Sequence, residues 1–173
     1  FTEFGVSGPA VFDLSRSAAV EKPPLTLHID LLPRLSAADT EALLRQRAAL
    51  MPELTTENLL AGVLHNRLGR TLLRYAGCGL TEPVAALGAA ERQRIAEAIH
   101  DFALPVTGVL GFDGAQVTAG GVRTDEFDPE TLQSRLVPGL YAAGEVLDID
   151  GDCGGYNLQW AWSSGHLAGQ LRP

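Results

Sequence analysis

Two glycine-rich stretches near the end of the chain hold the residues best suited to bind a ligand. They read Gly139-Leu-Tyr-Ala-Ala-Gly-Glu-Val-Leu-Asp148 and Gly154-Gly-Tyr-Asn-Leu-Gln159. The pattern predicts a strand that ends in a glycine and an acidic residue, followed by a glycine turn that opens a helix. Glycine lets the backbone approach a ligand closely, and the first N–H groups of a helix are unpaired and partly positive. Such a site can hold an anion or the electron-rich edge of a ring.

Glu145 follows the predicted strand, where its carboxylate could accept hydrogen bonds from a polyol. The same residues also suit a plain strand–turn–helix connection with structural glycines, because glycine turns are common at helix starts. The pattern by itself leaves these two interpretations equally open.

Asp148, Asp150 and Asp152 resemble the start of a calcium-binding loop, but the match is poor. The loop glycine belongs at position six, whereas Gly151 stands at position four. Gln159 stands where the bidentate glutamate is required. A solvated acidic loop is therefore the favoured interpretation, and we predict no metal site.

The sequence lacks the signatures of several other enzyme classes. Its histidines are scattered without an HExxH pattern, and no GxSxG motif surrounds a serine. No GxGxxG motif and no P-loop is present. The chain therefore cannot by itself hold a dinucleotide pyrophosphate in the usual way. The pattern names no catalytic acid or base.

Composition excludes further classes. The 173 residues carry a net charge of −8 without a run of Lys or Arg, which argues against binding nucleic acid through its phosphates. No apolar run reaches transmembrane length. Cys78 and Cys153 lie far apart and favour two reduced thiols in a cytoplasmic protein. The chain begins at Phe1 and its only methionine is Met51, which we interpret as the sign of a fragment.

The first third of the chain predicts a strand end at Phe1–Phe4, a helix that begins with Pro9, and a strand. Proline suits the first helical turn because its missing N–H would be unpaired there. Apolar and polar residues alternate from Leu25 to Leu32, as in a half-buried strand. A capping box of Ser36 and Asp39 then opens a helix.

Apolar residues at helical spacing continue to residue 103. They predict helices over residues 57–75 and 89–103. Short strands are predicted at Val106–Leu110 and Gln116–Ala119, joined by a turn at Asp113-Gly114. Leu140–Ala143 predicts another strand.

A helix follows from about residue 156 to 171. Its predicted packed face holds Leu158, Ala161, Trp162, Gly165 and Ala168, while Trp160 falls outside that stripe and is predicted to be exposed or to cover another group. The fold class is mixed α/β, with the strands before Ser36 and after Pro105 in one sheet.

Four stretches together resemble the NAD(P)/FAD-dependent oxidoreductase family that includes aminoacetone-oxidase-like and bile-acid-reductase-like flavoproteins. They are FTEFGVSGPA (residues 1–10), GFDGAQVTAGGV (111–122), LVPGLYAAGEVLD (136–148) and GGYNLQWAWSSG (154–165). The last two are highly specific in combination.

The resemblance implies an FAD domain of the glutathione-reductase type, with an inserted β domain and a small helical domain inserted into that. Residues 1–35 would be a β-domain segment with a linking helix. Residues 36–103 would form the helical domain, and residues 104–135 would return to the β domain. Residues 136–173 would be the C-terminal part of the FAD domain.

In such flavoproteins the strand ending at Gly144-Glu145 meets the ribityl chain, and the next helix start points its N–H groups at the flavin N1–C2=O edge. The residues that the resemblance assigns to FAD are Gly144, Glu145, Asp148, Gly154, Gly155, Tyr156, Asn157 and Leu158. NAD(P)H is a candidate electron donor, and the substrate would be a small molecule.

Two functions remain open from the sequence. The chain is either the C-terminal region of a flavin-dependent oxidoreductase or a stand-alone, non-catalytic binding module on the same scaffold. Under the first hypothesis its partner is the missing N-terminal half of the FAD domain, which grips the ADP end. The isolated chain would then be inactive although the parent protein is an enzyme.

Overall fold

The computed structural model describes residues 1–21 and 24–171. The chain divides into two compact units. We call Pro24–Val106 the helical unit, and Phe1–Pro23 with Thr107–Pro173 the terminal unit. Within the described residues the fold is mixed α/β, with five α-helices and one two-stranded sheet.

The helical unit contains strands β1 (Leu25–Ile29) and β2 (Phe102–Val106). They pair antiparallel, with Leu25 opposite Val106 and Ile29 opposite Phe102. The alternating strand predicted from Leu25 is therefore confirmed. The strands predicted after Pro105 do not join it: its partner is Phe102–Val106, which begins inside the segment predicted to be helical. The predicted helix ends earlier than expected, because the backbone leaves the helical region at Asp101.

Three helices fill the helical unit: α2 (Ala37–Leu50), α3 (Asn66–Tyr75) and α4 (Ala89–His100). Short 3₁₀ turns at Thr56–Asn58 and Val84–Ala86 connect them. The largest fully buried side chains of their shared core are Leu44, Leu59, Leu60, Leu72, Leu73, Val84, Ile95 and Ile99. Arg92 on α4 also pairs with Glu41 on α2 at 3.1 Å.

The single helix predicted over residues 57–75 is wrong in its first half. Helix α3 begins only at Asn66. Upstream of it, the N–H groups of Thr56 and Glu57 donate to the carbonyls of Glu82 and Leu80 instead of to a helix. Gly62 then has a φ of 81°, which breaks any helix. The leucine spacing misled because Leu60 is buried without being helical.

The terminal unit contains α1 (Pro9–Val20) and α5 (Tyr156–Ala168), with 3₁₀ turns at Phe112–Gly114, Thr124–Glu126 and Gly144–Val146. The helix predicted to begin with Pro9 is confirmed. A small core joins Phe127, Leu132 and Leu147, and the half-buried side chains packed against it are Ala142, Trp160, Leu167 and Ala168.

The strands predicted for the terminal unit are wrong. Phe1–Phe4 contains no strand, and residues 107–119 form loops and a 3₁₀ turn. Leu110 and Phe112 are 85% and 84% exposed, so the described residues give these apolar side chains no surface to pack on. The predicted strand at Leu140–Ala143 is reduced to one bridge between Tyr141 and Gln133.

The capping box of α2 is confirmed. The Asp39 N–H donates to the Ser36 hydroxyl, and the Asp39 carboxylate accepts from the Ser36 N–H and hydroxyl. These bonds, the side-chain bond to Ser36 first, lower the pKa of Asp39 below its ordinary value. The ionised form of Asp39 is therefore the one that supports the helix start.

We expect Ser36→Ala to lower the free energy of unfolding at pH 7 by about 1 kcal/mol. The pKa of Asp39 is lower in the folded protein than in the unfolded chain. The contribution of its ionised carboxylate to the free energy of unfolding is therefore present at neutral pH and is lost as the pH falls below about 4. The difference between wild type and variant in urea unfolding should therefore shrink on acidification. A difference that grows below pH 4 would contradict this role of the cap.

Candidate cofactor site

Gly144 is the best-anchored residue of the predicted site. It is buried, with a φ of 73° that suits glycine. Its N–H donates to Ser164 Oγ at 2.9 Å, and its carbonyl accepts from Trp160 Nε1 at 3.1 Å. The Ser164 hydroxyl in turn donates to the Trp160 carbonyl at 2.6 Å. Helix α5 thus holds both backbone groups of Gly144, and we call these contacts the Gly144 clamp.

The packed face of α5 differs from the predicted one. Trp160 is half-buried and belongs to the clamp, a role that its position in the sequence did not indicate. Leu158 and Trp162 are 63% and 71% exposed, so their predicted place on the packed face is wrong. Helix α5 carries apolar residues on two faces, and the clamp turns the Trp160–Ser164 face inward. Periodicity alone could not choose between them.

A second set of contacts ties the turn at Gly144–Val146 to the segment that contains Thr118–Val122. The Val122 N–H donates to the Val146 carbonyl at 2.8 Å, and the Asp148 N–H donates to the Val122 carbonyl at 2.9 Å. A Cβ on Gly121 would lie 2.7 Å from the Val146 carbonyl oxygen. Only glycine therefore allows these two segments to lie so close.

The Glu145 side chain is exposed and accepts a short hydrogen bond from the Thr118 N–H. A carboxylate has two oxygens, so one bond to the backbone leaves acceptor capacity for a further donor. Sequence reasoning did not identify Thr118. The signal that could have found it is the glycine pair that follows it, because such a pair permits close approach of two backbones.

The glycine loop before α5 is closed by Asn157. The Gly151 N–H donates to Asn157 Oδ1 at 2.8 Å, and Asn157 Nδ2 donates to the Gly151 carbonyl at 2.9 Å. Gly154 and Gly155 then have φ values of 137° and 92°, which side chains other than glycine rarely adopt. Asn157 thus shapes the loop, and its side chain is engaged with the chain itself.

The backbone N–H groups at the start of α5 have no acceptor among the described contacts. Gly155 is its N-cap, and no side chain caps the helix. Its first described intrahelical bond runs from Gln159 N–H to Gly155, so the N–H groups of Tyr156–Leu158 have no helical acceptor. Tyr156 is 65% exposed, which leaves this end open. The helix end is therefore a donor set with partial positive charge, suited to an electron-rich group.

Helix α1 holds the acidic loop from its other side. Arg16 Nη1 lies 2.9 Å from Asp150 Oδ2, and the Cys153 N–H donates to Asp13 Oδ1 at 2.7 Å. Neither α1 residue was identified from the sequence, because nothing local marks a contact between residues that far apart in the chain. No group of three His, Cys, Asp or Glu side chains in the described ranges could hold a metal ion.

The residues predicted to contact FAD lie in two segments of the terminal unit, and Gly144 of the first segment contacts α5. Gly144 and Glu145 lie on the turn at Gly144–Val146, and Asp148 follows it and pairs with Val122. Gly154 precedes α5, Gly155 is its N-cap, and Tyr156–Leu158 form its first turn. No helix in the described part of the chain is long and apolar enough to cross a membrane.

Comparison with known proteins identifies the family. The family model described as "HI0933-like protein Rossmann domain" matches residues 16–171. The chain belongs to the HI0933-like family. This confirms the resemblance seen in the sequence to flavoprotein oxidoreductases with bile-acid-reductase-like members.

Three curated relatives illustrate the family. The chain is 38% identical over 172 residues to a 3-dehydro-bile acid delta(4,6)-reductase of Clostridium scindens, covering 98% of this chain and 42% of that protein. It is 36% identical to a ribosomal RNA dihydrouridine synthase of Escherichia coli, and the match covers 98% of this chain and 41% of that protein. It is 34% identical to the protein of the same name in Haemophilus influenzae, and the match covers 96% of this chain and 40% of that protein. The HI0933-like chain thus spans about two fifths of these relatives' length.

The Gly144 clamp gives a direct test of this geometry. Ser164→Ala should lower the free energy of unfolding by about 1–3 kcal/mol, because the buried Gly144 N–H loses its acceptor. Ser163→Ala is the matched control, since Ser163 is exposed and bonds only to Gln159 in the described contacts. Equal midpoints for the two variants in chemical denaturation would show that the clamp does not hold the turn.

Proposed function

We propose that this chain supplies the part of an FAD site that contacts the ribityl chain and the isoalloxazine ring in a flavin-dependent oxidoreductase. The observation that carries the proposal is the start of α5, which no side chain caps. A glycine loop connects this helix start to the turn at Gly144, which α5 holds in place. Family membership and a relative named as a reductase support oxidoreductase chemistry.

The residues fit this cofactor in chemical type. The free N–H groups of Tyr156–Leu158 suit the N1–C2=O edge of the flavin, which becomes anionic on reduction. Glu145 has acceptor capacity for a ribityl hydroxyl, and Asp148 is an exposed carboxylate on the same turn. Gly155 has open space where a Cβ would stand, so a ring could approach its backbone. When bound, FAD supplies hydride transfer.

The rest of the cofactor site would come from a polypeptide equivalent to the part of the relatives that this chain does not match. Its ADP-binding half would carry the GxGxxG motif that residues 1–173 lack. The exposed apolar face of α5, which contains Leu158 and Trp162, suits a covering partner because a helix that is apolar on two faces is normally buried on both. In this proposal residues 136–173 belong to the FAD domain.

NAD(P)H is a candidate electron donor in this proposal, and the substrate is a small molecule. The net charge of −8 would repel the phosphates of a nucleic acid, which favours the chemistry of the bile-acid relative over that of the ribosomal RNA relatives.

Flavin titration tests the proposal. We expect the protein, expressed with whatever sequence flanks residues 1–173 in its natural reading frame, to retain FAD. Gly155→Val should weaken FAD binding at least about tenfold, because a β-branched residue is strained at this positive φ. Glu145→Ala should weaken it by a smaller factor, through the lost ribityl contact. Binding would be followed by quenching of flavin fluorescence.

Gly111→Ala is the matched control, because Gly111 has an ordinary φ of −70° and open space around its Cβ position. It should bind FAD like wild type. A protein that ignores FAD would contradict the proposal and favour the non-catalytic binding module. Residues 1–173 alone should bind FAD weakly or not at all.

A further inference from the structure

Helix α1 reaches the glycine loop with two polar side chains one helical turn apart. Asp13 Oδ1 accepts from the Cys153 N–H at 2.7 Å, and Arg16 Nη1 lies 2.9 Å from Asp150 Oδ2. The first contact is a hydrogen bond to the backbone of the loop, and the second is an ion pair with a side chain that is only 18% exposed. Together they fix both the position and the orientation of residues 150–153.

The loop is also tied to the start of α5. The Asn157 side chain exchanges two hydrogen bonds with the backbone of Gly151. Residues 150–153 therefore lie between α1 on one side and the first turn of α5 on the other. Gly151, Gly154 and Gly155 give this segment many accessible backbone conformations. The contacts to α1 select one of them.

These polar contacts contribute little to the free energy of unfolding of the terminal unit. No residue of α1 is buried, and Arg16 is 57% exposed. The Arg16–Asp150 pair is open to solvent on its Arg16 side, and ion pairs open to solvent contribute little to the free energy of unfolding. Removing these contacts should therefore change the position of the loop and of the α5 start, while the terminal unit still folds.

We propose that Asp13 and Arg16 are positioning residues for the flavin site. This inference rests on the proposed function. Asp13 holds the Cys153 amide, so that the loop enters α5 with its first N–H groups directed outward. Arg16 holds the Asp150 carboxylate on α1, where it cannot bend back and cap those N–H groups in place of the flavin. Neither residue need touch the cofactor.

The test compares variants of the protein in its natural reading frame. Asp13→Ala and Arg16→Ala should each weaken FAD binding about tenfold, because the loop can leave its binding conformation. Asp13→Asn should restore binding to within about twofold of wild type, since its side-chain oxygen can still accept from the Cys153 N–H. Arg123→Ala, which breaks another exposed ion pair of the terminal unit, should bind FAD like wild type.

Two further measurements separate positioning from simple destabilisation. In the absence of FAD, hydrogen exchange at residues 150–158 should become faster in Asp13→Ala, while the thermal midpoint stays near that of wild type. If wild type binds FAD and Asp13→Ala binds equally well, the positioning role is wrong and the proposed function stands. If Asp13→Asn is as weak as Asp13→Ala, the hydrogen bond is not the cause and the inference also fails. If wild type itself does not bind FAD, both proposals fall.

Discussion

The backbone of Gly144 is the point on which the geometry of the terminal unit depends. Its N–H and carbonyl are both held by side chains of α5, through Ser164 and Trp160. A buried peptide group needs such partners, because leaving one unpaired costs about 1–3 kcal/mol. Meeting that need turns the face of α5 that carries Trp160 and Ser164 toward the turn. The other contacts of the candidate site, from Val122 to the turn and from α1 to the glycine loop, act on segments that join this anchored pair.

Helix α5 also has a second apolar face, which these bonds leave outside the core. Trp160 packs inward on the small core, while Leu158 and Trp162 face outward. The helix therefore connects an anchored turn to a surface that suits a covering partner. Its start follows a loop shaped by the bonds between Asn157 and Gly151, and no side chain in the described part of the chain caps its first N–H groups. We propose that two properties together favour flavin binding: the turn is held in place by the Gly144 clamp, and the first N–H groups of α5 are available to a ligand.

The sequence predicted the elements whose signals are local. The capping box at Ser36 and the strand from Leu25 are set by neighbouring residues, and both are present. The start of α3 and the face of α5 depend on contacts between distant segments, such as Thr56 with Glu82, and periodicity cannot report these. The glycine pattern located the candidate site for the same local reason. The residues that hold it in place, Asp13 and Ser164 among them, come from far along the chain and were missed.

Hydrogen exchange with and without FAD, resolved along the protein in its natural reading frame, tests the proposed flavin site most directly. We expect FAD to slow exchange of the amides at residues 144–148 and 154–159, because a ligand then shields or accepts from them. Within the helical unit, α3 should be unchanged. Slower exchange elsewhere in the chain, with no change at the start of α5, would contradict the proposed site and place the cofactor at another surface.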